Sequence, residues 1–206
     1  MIQDELLRSL LAPADTDGRF YGVVAGVVTN NQDPDGMHRV KVRFPWLNAR
    51  HESNWARVVA SMAGDKRGTY FLPEAEDEVL VAFEHGSLEH PYVIGALWGK
   101  DKPPEDNNDG KNDNRTIKSR SGHIVRLCDS DGGERIEVID KTGNNRIMIT
   151  SSDNKITIEA QGDISIKSTA GKIAIAAASI EITSQTTLEV SAAGQVNIKG
   201  SLVSIN

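Results

Sequence analysis

A single cysteine, Cys128, stands in 206 residues. It cannot form an intrachain disulfide, so packing must hold the fold together, as suits a chain made in a reducing cytosol. No apolar run approaches the roughly 18 to 20 residues of a membrane span. The N-terminal stretch MIQDELLRSLLAPAD is too acidic, and its apolar part too short, for a secretory signal. A basic excess is missing as well: the formal net charge is −6, with Lys and Arg interspersed among Asp and Glu, which excludes the broad cationic face that phosphate binding requires. Aromatics make up 5% of the chain, and none lies beyond Trp98, so the second half cannot build a conventional mixed core.

Signatures of catalysis and metal binding are also absent. His38, His51, His85, His90 and His123 are scattered without a tight pair, and Cys128 has no second cysteine with which to share zinc. The acidic run Glu74, Glu76, Asp77, Glu78 reads as a solvated turn rather than as paired catalytic carboxylates. His123 and Cys128 lie in strand-like sequence, where structural roles outweigh a nucleophile and base. No catalytic residue, cofactor or metal is expected, and no nucleic acid: in HRVKVRFPW the alternation puts Val40, Val42 and Phe44 on one face and Arg39, Lys41 and Arg43 on the other, as in a barrel strand.

What is present falls into four parts: residues 1–18, 19–99, 100–114 and 115–206. Ile2, Leu6, Leu7, Leu10 and Leu11 recur at helical spacing before Pro13, predicting a short amphipathic N-terminal helix that packs on its own domain or docks on another protein. Five β-rich segments follow, Tyr21 to Thr29, His38 to Phe44, Trp55 to Ala60, Glu78 to Glu84 and Tyr92 to Trp98, with the turn-rich NNQDPDG between the first two. They predict an all-β unit, a five-stranded OB-fold barrel, with an SH3-like barrel as the alternative. Next comes GKDKPPEDNNDGKNDN, which has no apolar residue and reads as a linker.

Beyond it, pairs of β-formers separated by one residue recur. They begin with Ile136 and Val138, then Ile147 and Ile149, Ile156 and Ile158, Ile164 and Ile166, Ile173 and Ile175, Ile180 and Ile182, Leu188 and Val190, Val196 and Ile198, and finally Val203 and Ile205. From Ile147 the steps are 9, 8, 9, 7, 8, 8 and 7 residues. A single-chain parallel β-helix needs about 18 or more residues per coil to enclose a core, so roughly eight supply one face of three. The period therefore predicts a C-terminal trimeric interlaced β-helix, a β-prism whose axis is filled by these pairs, with a shaft on the order of 40 Å for nine levels. A meander of antiparallel hairpins is the alternative that also suits an eight-residue spacing.

HRVKVRFPW (His38 to Trp46), NWARVV (Asn54 to Val59), GTYFLPEAEDEVLVAFEHG (Gly68 to Gly86) and HPYVIGALWG (His90 to Gly99) resemble, in that order, the OB domain of VgrG spike proteins and related phage baseplate spikes. TIKSRSGHIVRLCD (Thr116 to Asp129) is similar to the start of the family's β-helix. The resemblance implies the non-enzymatic central spike of a contractile injection system, a phage tail-like particle or a type VI secretion-like device, which joins tube and hub to tip and punctures the target envelope. A trimeric fibre, adhesin or receptor-binding tail protein is the alternative. With about 19 residues before the barrel, a separate hub or baseplate protein is expected, with Leu6, Leu7, Leu10 and Leu11 as docking candidates. The end SLVSIN continues the repeat, which makes Leu202, Val203, Ile205 and Asn206 candidates for seating a PAAR-type tip protein. Effector cargo is a possible further partner. The chain would be made in the cytoplasm, incorporated into the particle, and meet the target membrane only on firing.

Overall fold

Alternating valines, Val40 with Val42 and Val79 with Val81, give the first half two of its core-facing strand rows. The computed structural model describes residues 19–47, 52–104 and 109–205; the N-terminal stretch with Leu6, Leu7, Leu10 and Leu11, and the terminal Asn206, lie outside them. Strand β1 (Val23–Asn30) turns Val24, Gly26 and Val28 inward, and β2 (Lys41–Arg43) buries Val42 while Lys41 and Arg43 face out. After β3 (Arg57–Val58) a two-stranded arm, β4 (Ala63–Gly64) and β5 (Arg67–Gly68), precedes β6 (Glu78–Phe83) and β7 (Pro91–Ala96).

The sheet order is β2-β1-β6-β7-β3, antiparallel throughout except for the parallel pair β3 and β7. An antiparallel bridge between Val40 and Ala56 joins the two outer strands and closes the ring. That closure, with the third long segment parallel to the fifth, is the Greek-key connection of an OB barrel and not the meander of an SH3-like one. Val28, Val40, Val42, Phe44, Ala56, Val79, Val81, Phe83 and Val93 form its core. Gly26 is required there: a Cβ on it would stand 2.4 Å from Val42 Cγ1.

The loop between β1 and β2 is organised by Asp33, whose side chain is 2% exposed. Its carboxylate accepts the backbone N–H groups of Asp35, Met37 and Arg39 at 3.1, 3.2 and 3.2 Å, and a forked pair from Arg39 Nε and Nη2 at 2.8 and 2.7 Å. The Arg39 hydrogen bonds outweigh burial and hold the Asp33 carboxyl far below the usual carboxylate range. A depressed folded-state pKa contributes stability that is complete above the unfolded value near 4 and is lost as pH falls towards the folded one. The urea midpoint of the barrel is therefore expected to drop between pH 5 and pH 2. Asp33→Asn should lower the midpoint at pH 7 and flatten that dependence; an unchanged slope in the variant would remove Asp33 as its source.

Residues 110–206 form a separate unit. Strands β8 (Asn114–Lys118), β9 (Ile124–Cys128), β10 (Arg135–Ile139), β11 (Arg146–Thr150) and β12 (Lys155–Glu159) make an antiparallel meander in chain order. This differs from interlacing that starts at the head of the repeat: Ile136 and Val138, Ile147 and Ile149, and Ile156 and Ile158 lie on strands paired within one chain. The turns explain it. Gly122, Gly132, Gly143 and Asn154 all take positive φ, so each connection reverses the chain onto its preceding strand.

Within the single chain, Ile166, Ile175, Ile182, Val190 and Ile198 are 67 to 73% exposed, and their partners Ile164, Ile173, Ile180, Leu188 and Val196 are exposed as well. The reason is geometric. One chain with a period near eight supplies a single face at each level, and a single face has nothing to close against.

Candidate functional site

The meander's two faces are inverted relative to those of a soluble sheet. Cross-strand register aligns Leu127, Ile136, Ile149 and Ile156 in one row and Ile117, Val125, Val138, Ile147 and Ile158 in the next, all on the same face. These nine side chains remain 41 to 67% exposed. A contiguous patch of this kind marks an interface. Covering what is still exposed would contribute about 1 kcal/mol per side chain, or about 10 kcal/mol per chain.

The opposite face carries the polar groups. Glu137, 8% exposed, is held between Arg135 Nε at 2.8 Å and Arg126 Nη1 at 3.5 Å, and Arg146 meets Glu159 at 2.6 Å. Beside this network Cys128 Sγ lies 3.3 Å from Ser130 Oγ and accepts from Arg135 Nη1 at 3.4 Å. The Ser130 contact, with Arg135 nearby, lowers the thiol pKa against the effect of burial. His123 instead accepts the Lys141 N–H at 3.2 Å, so the structure does not pair it with Cys128. Among the described residues, no three His, Cys, Asp or Glu side chains gather as a metal site.

Past Glu159 the chain stops pairing with itself. Among the described residues, 162–205 form no strand, and their hydrogen bonds reach no further than three positions along the chain. Every apolar pair from Ile164 and Ile166 to Val203 and Ile205 stands in the open, with Leu202 beside the last. Backbone without ladder partners and apolar side chains without cover leave this segment with both kinds of group to satisfy. Ile117, Val125 and Leu127 belong to the same apolar face as the repeat, although the pairs read from the sequence begin at Ile136. Their signal is present there as the spaced pair Val125 and Leu127.

On the barrel, the cations Arg39, Lys41 and Arg57 are already engaged. Arg39 and Lys41 lie 5.9 and 5.5 Å from the Trp55 ring, Lys41 also pairs with Glu52 at 3.4 Å, and Arg57 is 5.8 Å from the Tyr92 ring. The acidic run is a turn in which Asp77 accepts the Glu74 N–H at 2.8 Å. No helix among the described residues is long and apolar enough to cross a membrane.

Residues 24–98 match the family profile of the type VI secretion system/phage-baseplate injector OB domain. Among curated proteins, the chain is similar to the type VI secretion system spike protein VgrG3 of Vibrio cholerae, 32% identical over 91 residues, which are 42% of this chain and 9% of that protein. It is similar to VgrG2a of Pseudomonas aeruginosa, 33% identical over 93 residues, 43% of this chain and 11% of the relative. Similarity to VgrG1b of the same organism runs further into the repeat, 28% over 155 residues, covering 71% of this chain and 20% of the relative. The chain thus spans a small part of the length of each.

Proposed function

We propose that this chain, whose residues 24–98 match the injector OB domain and which is similar to VgrG spike proteins, is a member of the VgrG and phage-baseplate spike family, and that three copies assemble into the central spike of a contractile injection system. The observation that carries this reading is the two-row apolar face of β8–β12, continued by the unpaired repeat of residues 162–205. Three such faces enclose a dry axis, and three extended tails supply one another with ladder partners. In that assembly Ile175, Ile182, Val190 and Ile198 reach the interior that one chain cannot give them.

In this reading the role is mechanical. The OB collar, with the stripe Leu6, Leu7, Leu10 and Leu11, joins a separate hub at the end of the tube, and the prism carries the thrust of sheath contraction to the target envelope. The barrel lends itself to a rigid collar, since its strands close on themselves and leave few free edges. The pair Val203 and Ile205 continues the apolar repeat, and in this reading Leu202, Val203, Ile205 and Asn206 are the candidates for seating a conical PAAR-type tip, with effector cargo riding on that assembly. A trimeric receptor-binding fibre would share the repeat but has no use for the injector OB domain.

Two measurements test the reading. The purified full-length chain should sediment as a trimer at micromolar concentration; a soluble folded monomer would sink it. In assembled particles, removal of residues 202–206 should abolish density beyond the spike while the trimer persists, and removal of residues 1–12 should reduce spike occupancy.

A further inference from the structure

The barrel exposes two apolar surfaces of different shape. The first is flat. Strands β1, β6 and β7 read VVAGVVTN, EVLVAF and PYVIGA, near-continuous apolar runs of the kind found where both sheet faces are covered. One face is the core; on the other, register sets Val23 beside Ala82 and Ala25 beside Leu80, with Ile94 in the adjoining bulge and Gly95 open to solvent. The small residues make this surface shallow, and among the described residues Val23, Ala25 and Ile94 on it are exposed.

The second surface protrudes. The arm β4–β5 turns through Lys66 at positive φ, and Gly68 at φ +143 lies so close to Met62 that a Cβ would stand 2.4 Å from its carbonyl oxygen. Met62, Tyr70 and Phe71 on this arm are exposed, and its tie to the rest of the barrel includes Tyr70 Oη with His38 Nδ1 at 3.2 Å. A two-stranded hairpin carrying its apolar side chains outward is marginal by itself.

We infer that in the collar the arm of one protomer, led by Phe71, packs across the flat β1–β6–β7 face of the next. This rests on the trimeric reading above and names the contact between its barrels. A closed cyclic trimer uses a heterologous interface, in which two different patches of each subunit meet. This barrel carries one protruding and one shallow apolar patch, and a single contact repeated around the axis covers both. The ladder already holds three barrels at high effective concentration, which favours such a contact without great affinity of its own. Charge agrees. The arm's tip, Asp65, Lys66 and Arg67, is net cationic, while Glu78 extends the flat face; among the described residues Lys66, Arg67 and Glu78 have no ion-pair partner. Arg43, opposite Val27 from Glu78, marks the side from which the tip is turned away.

The test uses the full-length chain with benzoylphenylalanine at position 71, as a mixture of isotopically light and heavy copies. Irradiation should give covalent dimers and trimers whose cross-linked peptides pair light with heavy chains and fall within residues 23–28, 78–83 or 91–96. Ala82→Glu should reduce the yield at least fivefold while sedimentation stays trimeric. Adducts confined to one chain, or to other peptides, in a protein that sediments as a trimer would overturn the arm contact and leave the spike reading standing. A monomer in the centrifuge would overturn the spike reading itself.

Discussion

Ile166→Asp is expected to convert the full-length protein from a trimer to a monomer or an insoluble product at micromolar concentration. Ile166 sits in the part of the repeat where no strand pairs within the chain and its side chain is 72% exposed. Association would bring three copies of this position to one level of a dry axis. Three carboxylates there have neither water nor counter-charge, and each costs several kcal/mol to bury. Ser165→Asp places the same charge one residue earlier, on the opposite side of an extended segment, and should leave the trimer intact. Sedimentation velocity of the two variants side by side separates the effect of charge from that of its direction. A trimeric Ile166→Asp protein would mean that the pairs do not line the axis.

Gly26→Val should unfold the barrel more readily than any surface change while leaving assembly of the repeat untouched. The new Cβ would lie 2.4 Å from Val42 Cγ1 and 3.2 Å from both the Arg43 carbonyl oxygen and Phe44 Cδ1, so the core must open to admit it. Overpacking of this kind costs about 3 kcal/mol, which lowers the melting of an 80-residue domain by roughly 15 °C. Val42→Ala in the same chain removes the nearest obstacle and should restore part of the loss. Equal melting of Gly26→Val and the parent would show that β1 can shift away from β2 without penalty.

Where one physical constraint dominates, the residues could be read directly. In His38 to Phe44 only one of the two alternating sets can enter a core, and the structure buries Val40, Val42 and Phe44. The five strand segments emerge within a few residues of their sequence limits for the same reason. The arm β4–β5 was not legible, because AGDKRG offers no apolar alternation and its conformation depends on Lys66 and Gly68 adopting positive φ. In the repeat, a period near eight fits both a hairpin and a prism. What separates them is the turns: the connections up to Asn154 hold residues that reverse the chain, a property of backbone dihedrals that hydrophobic spacing does not encode. The same spacing marks Ile175, Ile182, Val190 and Ile198 as core-seeking, and within one chain they stay exposed. The Glu137 network was equally hidden, since Arg126, Arg135 and Glu137 come from two strands whose register is set only when the sheet forms.

The change at Glu159, from strands that pair within the chain to segments that do not, has a kinetic consequence. Strands β8–β12 join neighbours a few residues apart and can close in microseconds without help from another molecule. In the proposed trimer, residues 162–205 gain their ladder from other copies, so their ordering would wait on encounter and depend on concentration. Three preformed sheets meeting along their apolar rows would bring the three tails out at a common height. Winding then proceeds from Glu159 towards Ile205 as a zipper whose teeth are already aligned, and a tail out of step by one level would leave an isoleucine pair without its counterparts at the far end.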